Sequence, residues 1–134
     1  MKYNRLIILG VILIILDRFT KYYLGKINNT GAGFGILQNY NLFLIVFSLI
    51  ILILISYLFI KSSFKEKIAL TIIVSGTISN LIDRILYGSV IDFINLKFWP
   101  LFNLADIFVV TGIIIFVVLI IKQSKENDKS KKSH

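Results

Sequence analysis

From Leu42 to Ile60 the chain runs nineteen residues without a charge, and no other feature constrains its fold as strongly. An α-helix rises about 1.5 Å per residue, so a run of that length reaches across the roughly 30 Å hydrocarbon core of a bilayer. Three shorter uncharged runs accompany it: Leu6 to Leu16 with eleven residues, and Ile68 to Ile82 and Ile107 to Ile121 with fifteen each. These need a few flanking residues to span, and the flanks carry most of the unusual polar side chains. At 134 residues, 57% hydrophobic and with a mean hydropathy of +0.85, the chain holds more apolar surface than a soluble domain of its size can bury. The expectation is an all-α membrane protein of one integral domain over 1–134. Its four transmembrane helices are expected near 3–24, 42–60, 68–87 and 103–121, with two short outward-facing segments and a basic tail at 122–134.

The charge pattern orients these spans. Of fifteen Lys and Arg residues, ten lie before the first run, between the second and third, or after the fourth. The positive-inside rule therefore puts both termini and the middle loop in the cytoplasm. The net charge of +8 is read as this topology, and the tail KQSKENDKSKKSH as a solvated anchor facing anionic lipid, with no nucleic-acid role. The basic, apolar N-terminus resembles a signal peptide, but DRFTKYY follows it where a small-residue cleavage site would stand, so it is read as a retained span.

Cysteine is absent and the single histidine is the terminal His134. This excludes thiolate chemistry, a Ser-His-Asp triad and an HExxH zinc site. A hydrolase built from this chain needs carboxylates or, as a distant alternative, a Ser89–Lys97 pair. No metal and no cofactor are expected.

Four of the seven acidic residues, Asp17, Asp83, Asp92 and Asp106, map to the outer ends of the expected spans or just beyond them. Ionisable residues at such depth face a bundle interior or a water-filled cavity, and their gathering at one level predicts one site. Asp17 and Lys21 stand four apart, as an ion pair on one helical face. Asp83 and Arg84 can neutralise each other or pair with Lys21 and Asp17 across helices, alongside Asn80, while Ser75, Gly76 and Ser79 suit close helix packing. The glycine-rich stretch Asn29-Thr-Gly-Ala-Gly-Phe34-Gly reads equally as an ordinary loop or as exposed backbone for an extended peptide, Gly31 included. Asn103-x-x-Asp106 fits a helix-capping box. That accounts for Asp106 but not for Asp92, which lies between Ile91 and Phe93 with no cation nearer in sequence than Lys97. A buried carboxylate so placed is neutral, functional or both.

The motifs DRFTK at 17–21, NTGAGFG at 29–35, SNLIDR at 79–84, GSVIDF at 88–93 and FNLAD at 102–106 occur in one order from the first helix to the fourth. In this the chain resembles the lipoprotein signal peptidases, bacterial four-helix aspartyl proteases. The resemblance implies Asp92 and Asp106 as the catalytic pair. It implies Asn29, Gly31, Phe34, Asn80, Arg84 and Asn103 as substrate-binding or site-supporting, and Asp17, Lys21 and Asp83 as a structural polar network. It further implies a prolipoprotein substrate bearing a diacylglyceryl cysteine, contact with membrane lipids, a monomer, and a site near the outer face of the bacterial cell membrane. Two departures stand out: Ser75 and Ser79 occupy positions usually glycine, and the 22–28 segment is shorter than in relatives, where a small sheet cradles substrate. The rival reading is a small transporter or proton pathway, which would show polar residues through the full depth of the bundle.

Overall fold

The computed structural model describes residues 2–25, 27–31 and 37–132. Phe34, with the neighbouring glycines of its loop, lies outside the described residues, as does His134. Four helices dominate: α1 (Lys2–Leu24), α2 (Asn41–Lys61), α3 (Phe64–Tyr87) and α4 (Leu104–Lys132). Two short strands, β1 (Ile27–Asn29) and β2 (Val90–Asp92), complete the order α1-β1-α2-α3-β2-α4.

Helix ends follow local chemistry. Ser63 and Glu66 form a reciprocal capping box that starts α3 at Phe64, four residues before the apolar run begins. Gly88 ends it in the left-handed conformation at φ 69, its N–H donating to the Arg84 carbonyl at 3.1 Å. The fourth helix continues past Ile121 through the lysine-rich tail, where a solvated segment was expected. It is exposed from Lys122 to Lys129, where Glu126 and Asp128 stand among the lysines.

Helix α3 is the hub, packed against α4 most extensively, then α1, then α2. Tyr3 meets Lys67 and Lys21 meets Asp83, so α1 runs parallel to α3. Helices α2 and α4 run antiparallel to it: Asn41 reaches Arg84 while Ile55 packs on Leu70 and Ile73, and Gly76 faces Ala105 while Gly112 faces Ala69. A Cβ on Gly76 would stand 2.3 Å from the Ala105 carbonyl oxygen, so the α3–α4 contact depends on the missing side chain. The start of α1, the α2–α3 turn and the end of α4 therefore share one end of the bundle. The other end carries the two strands.

The all-α expectation needs correcting at that second end. Strand β1 pairs antiparallel with β2 in the register Ile27↔Asp92, Asn28↔Ile91 and Asn29↔Val90, and Ile94 bridges Phe102 beyond it. The short 22–28 segment thus still supplies a strand. Gly25 makes this possible, because a Cβ there would lie 2.3 Å from both the Ile91 side chain and the Lys21 carbonyl.

The surface is apolar, and the buried side chains at the strand end are mostly polar. Leu42 is 74% exposed and Ile53 69%, whereas Asp17, Asp83 and Asn103 are fully buried. Three helices, α2, α3 and α4 up to Lys129, are long and apolar enough to cross a membrane by length and composition. Helix α1 has the length, and its last two turns carry Asp17, Arg18 and Lys21.

Candidate active site

The polar end is built in two layers. In the inner layer, Lys21 Nζ lies 2.7 Å from Asp17 Oδ2 and 2.8 Å from Asp83 Oδ2, all three side chains buried. Arg18, unremarked in the sequence, pairs with Asp83 Oδ1. Asp17 Oδ1 accepts the Ala105 N–H at 2.8 Å, and Asp17 Oδ2 accepts the Ser79 hydroxyl. Ser79 is thus a donor that a glycine could not be. Asp83 Oδ2 also accepts the Ile91 N–H at 3.3 Å, tying β2 to the helices. Two acids and two bases balance, as buried charges must.

The outer layer is made of amides. Asn80 Oδ1 accepts from Lys21 Nζ at 2.9 Å and from Asn103 Nδ2 at 3.0 Å, which leaves Asn80 Nδ2 to donate to Asp106 Oδ1 at 2.8 Å. Asn103 Nδ2 also donates to Asp92 Oδ1 at 2.9 Å, while Asn29 Nδ2 donates to Asp92 Oδ2 at 2.9 Å. The Asn103–Asp106 capping box is present: Asp106 N–H donates to Asn103 Oδ1 and Asn103 N–H to Asp106 Oδ2, both at 3.0 Å. Capping takes one oxygen of Asp106 and Asn80 the other, yet Asp106 still borders open space.

That space is a cavity of about 340 Å³ lined by Asn29, Gly31, Asn80, Arg84, Asp92 and Asp106, with Trp99 to Phe102 as its apolar side. Arg84 does not pair with Asp83. Its Nη2 donates to the Gly31 carbonyl at 3.0 Å, bracing the Asn29–Gly31 backbone, while its own carbonyl accepts from Asn41 at 3.0 Å. Asn41 belongs to the surroundings of the site without having stood out in sequence. Burial pushes the Asp92 carboxyl up to about 6; the bonds from Asn29 and Asn103 and the Lys21 charge oppose the rise, and the Asp106 charge adds to it. Ser89 is buried with its hydroxyl donating to the Tyr87 carbonyl at 3.4 Å, while Lys97 is exposed in a turn, an arrangement that offers no nucleophile–base pair. Among the described residues no group of three or more His, Cys, Asp or Glu side chains is placed to hold a metal ion.

Fold and site define a class: a helical membrane protein with two carboxylates on one amide-lined cavity at the end of its bundle. The comparisons carry this further. A sequence model of the family Signal peptidase (SPase) II matches residues 7–122. The lipoprotein signal peptidase of Clostridium tetani is 41% identical over 126 residues, covering 88% of this chain and 79% of that protein. That of Caldanaerobacter subterraneus subsp. tengcongensis is 38% identical, covering 86% and 94%, and that of Staphylococcus aureus 32% identical, covering 94% of each. A solved bacterial membrane enzyme, determined by the in meso method at 2.3 Å resolution, matches with a TM-score of 0.83 and 29% identity over 92% of this chain and 91% of that one. The chain belongs to the signal peptidase II family and is a membrane enzyme.

Proposed function

We propose that this enzyme removes the signal peptide from prolipoproteins by hydrolysing the bond before a diacylglyceryl-modified cysteine, with Asp92 and Asp106 as the catalytic pair. One carboxylate, ionised, takes a proton from a water held between the two, and the resulting oxygen nucleophile attacks the scissile carbonyl. The other, protonated, donates to the carbonyl oxygen and stabilises the tetrahedral intermediate. Collapse breaks the C–N bond as the proton taken from water passes to the leaving nitrogen. The proton belongs to the pair rather than to either residue. Asn80, Asn103 and Asn29 hold the carboxylates, and Arg84 braces the Gly31 backbone against which an extended peptide lies. Phe34 is a further substrate-binding residue in this reading.

The observation that carries the proposal is that both carboxylates border one cavity and receive hydrogen bonds from neutral amides. An adjoining cleft of about 250 Å³ shares Trp99, Phe102 and Asp106 and continues along Ile107 and Val110 of α4, a suitable surface for the acyl chains of the substrate. In this reading residues 1–134 form one domain with four spans, α1 included, its buried charges covered by α3. Both termini lie in the cytoplasm, and the cavity opens at the outer face of the bacterial cell membrane. Support comes from the cations at the terminal end of the bundle and from the carboxylates at the other. The enzyme acts as a monomer on this reading, since every proposed site residue comes from one chain. A transporter is disfavoured because the polar side chains stop at the cavity instead of continuing down the bundle.

The test is prolipoprotein cleavage in membranes by Asp92→Asn and Asp106→Asn, each checked for an unchanged unfolding midpoint. Both folded variants are expected to lose turnover, each by at least about 10²–10⁴-fold. Retained cleavage in either one refutes the pair.

A further inference from the structure

One apolar cavity lies away from the carboxylates. Helices α1 and α2 both pack on α3 and leave a groove between them of about 440 Å³. Its walls include Leu6, Gly10 and Ile14 of α1, Phe59 of α2, and Thr71 and Ser75 of α3. The hydroxyls of Thr71 and Ser75 are turned back onto helix carbonyls at 2.8 and 2.7 Å, so the groove presents apolar surface. Its mouth, at the terminal end of the bundle, is different. There Lys67 Nζ sits 5.3 Å from the Tyr3 ring and 5.4 Å from the Phe59 ring, and donates to the Tyr3 hydroxyl at 3.5 Å. Three helices thus contribute one residue each to this cluster, and its Phe59 also lines the groove.

Size and charge select the occupant. Leu6 to Ile14 rises roughly 12 Å along α1, close to the ~15 Å hydrocarbon depth of one leaflet. The groove is open along its side and its wall is almost wholly apolar over that length, as an acyl chain lying along the helices requires. The same end carries Arg5, Lys61 and Lys65 beside Lys67; of its acids, Glu66 is buried in the capping box, and Glu126 and Asp128 stand among the five lysines of the α4 tail, so the local field favours an anion.

We propose that this groove binds one anionic phospholipid of the leaflet at the terminal end of the bundle, its phosphate between Lys67 and the Tyr3 hydroxyl and one acyl chain along α1, α2 and α3. The site is separate from the carboxylate cavity and from any substrate lipid there. Its role is to fill the gap between α1 and α2, which each rest on α3.

The experiment is native mass spectrometry of the full chain released from mild detergent containing equal phosphatidylglycerol and phosphatidylcholine. The wild type is expected to retain one lipid, predominantly phosphatidylglycerol. Lys67→Gln is expected to weaken that preference about fivefold, and Lys67→Arg to preserve it. Gly10→Leu, whose Cβ would stand 3.3 Å from Ser75 Oγ at the wall of the groove, is expected to lose both lipids, with prolipoprotein cleavage as the check that it folds. Equal retention of the two headgroups by the wild type, an unchanged preference in Lys67→Gln, or replacement of the adduct by a protein dimer would overturn the proposal.

Discussion

Lys21→Met tests the inner layer of the site most sharply. The lysine side chain is 1% exposed and touches Asp17 at 2.7 Å, Asp83 at 2.8 Å and Asn80 at 2.9 Å. Methionine keeps most of the volume and removes the charge, leaving two acids against Arg18 alone. Removing one partner of a buried ion pair typically costs about 3–5 kcal/mol. Asp83 keeps Arg18, and Asp17 keeps the Ser79 hydroxyl and the Ala105 N–H, so the lower end of that range applies, a drop of roughly 10 °C in unfolding midpoint. Thermal unfolding in detergent measures it. Adding Asp17→Asn to Lys21→Met should restore part of the loss. The new amide still accepts from Ala105 and can donate to Ser79, and the surplus negative charge is gone. A midpoint within about 2 °C of wild type for Lys21→Met, or a double variant no more stable than the single, refutes the account of a charge-balanced inner layer.

Two further predictions follow from the geometry. With Asp92 raised to about 6, its carboxyl takes up a proton as pH falls through that value, so the acid limb of kcat/KM is expected near 6 instead of near 4. The Asn29 bond and the Lys21 charge both favour the ionised form, so Asn29→Ala and Lys21→Met should each move the limb to higher pH, and a shift downward contradicts the assignment. Gly76→Ala places a Cβ 2.3 Å from the Ala105 carbonyl and forces α3 from α4, at about 1–3 kcal/mol in the same unfolding assay. Gly88→Ala, with open space around it and only the φ of 69 to strain, should cost about 1–2 kcal/mol. A cost at Gly76 below about 1 kcal/mol would mean that the α3–α4 contact is slack.

What the sequence disclosed was set by length scale. Helix α2 lies within one residue of its uncharged run at either end, because nineteen apolar residues admit one structure in lipid. The start of α3 was written in Ser63-x-x-Glu66, a local signal that the search for apolar runs passed over. The strands were hidden for a different reason. Three residues show no periodicity, and the partners Asn29 and Val90 are far apart in the chain, so only the fold brings them together. The side-chain partners divide likewise. Asp17 and Lys21 were readable at four-residue spacing, but Arg18 on Asp83 and Arg84 on the Gly31 carbonyl depend on how α1 and α3 are turned towards each other. Asp83 and Arg84 could not pair as neighbours, since adjacent residues of a helix do not face one another.

On the proposed mechanism, the two-layer construction has a chemical reason. A cation in direct contact with a carboxylate holds it ionised, and a pair that must share one proton cannot accept that. Here the ammonium stops at Asp17, Asp83 and Asn80, and only the neutral amide of Asn80 continues to Asp106. The lysine fixes which way that amide points: its oxygen is held towards the ammonium, so its N–H must face the carboxylate. Asn103 works in the same manner, its oxygen fixed by the α4 cap and its nitrogen directed to Asp92 and Asn80. Orientation therefore passes from the charged layer to the carboxylates through hydrogen bonds, while full charge is kept one side chain away. This is how a site can be rigidly held by ion pairs and still leave its two acids free to exchange a proton with water.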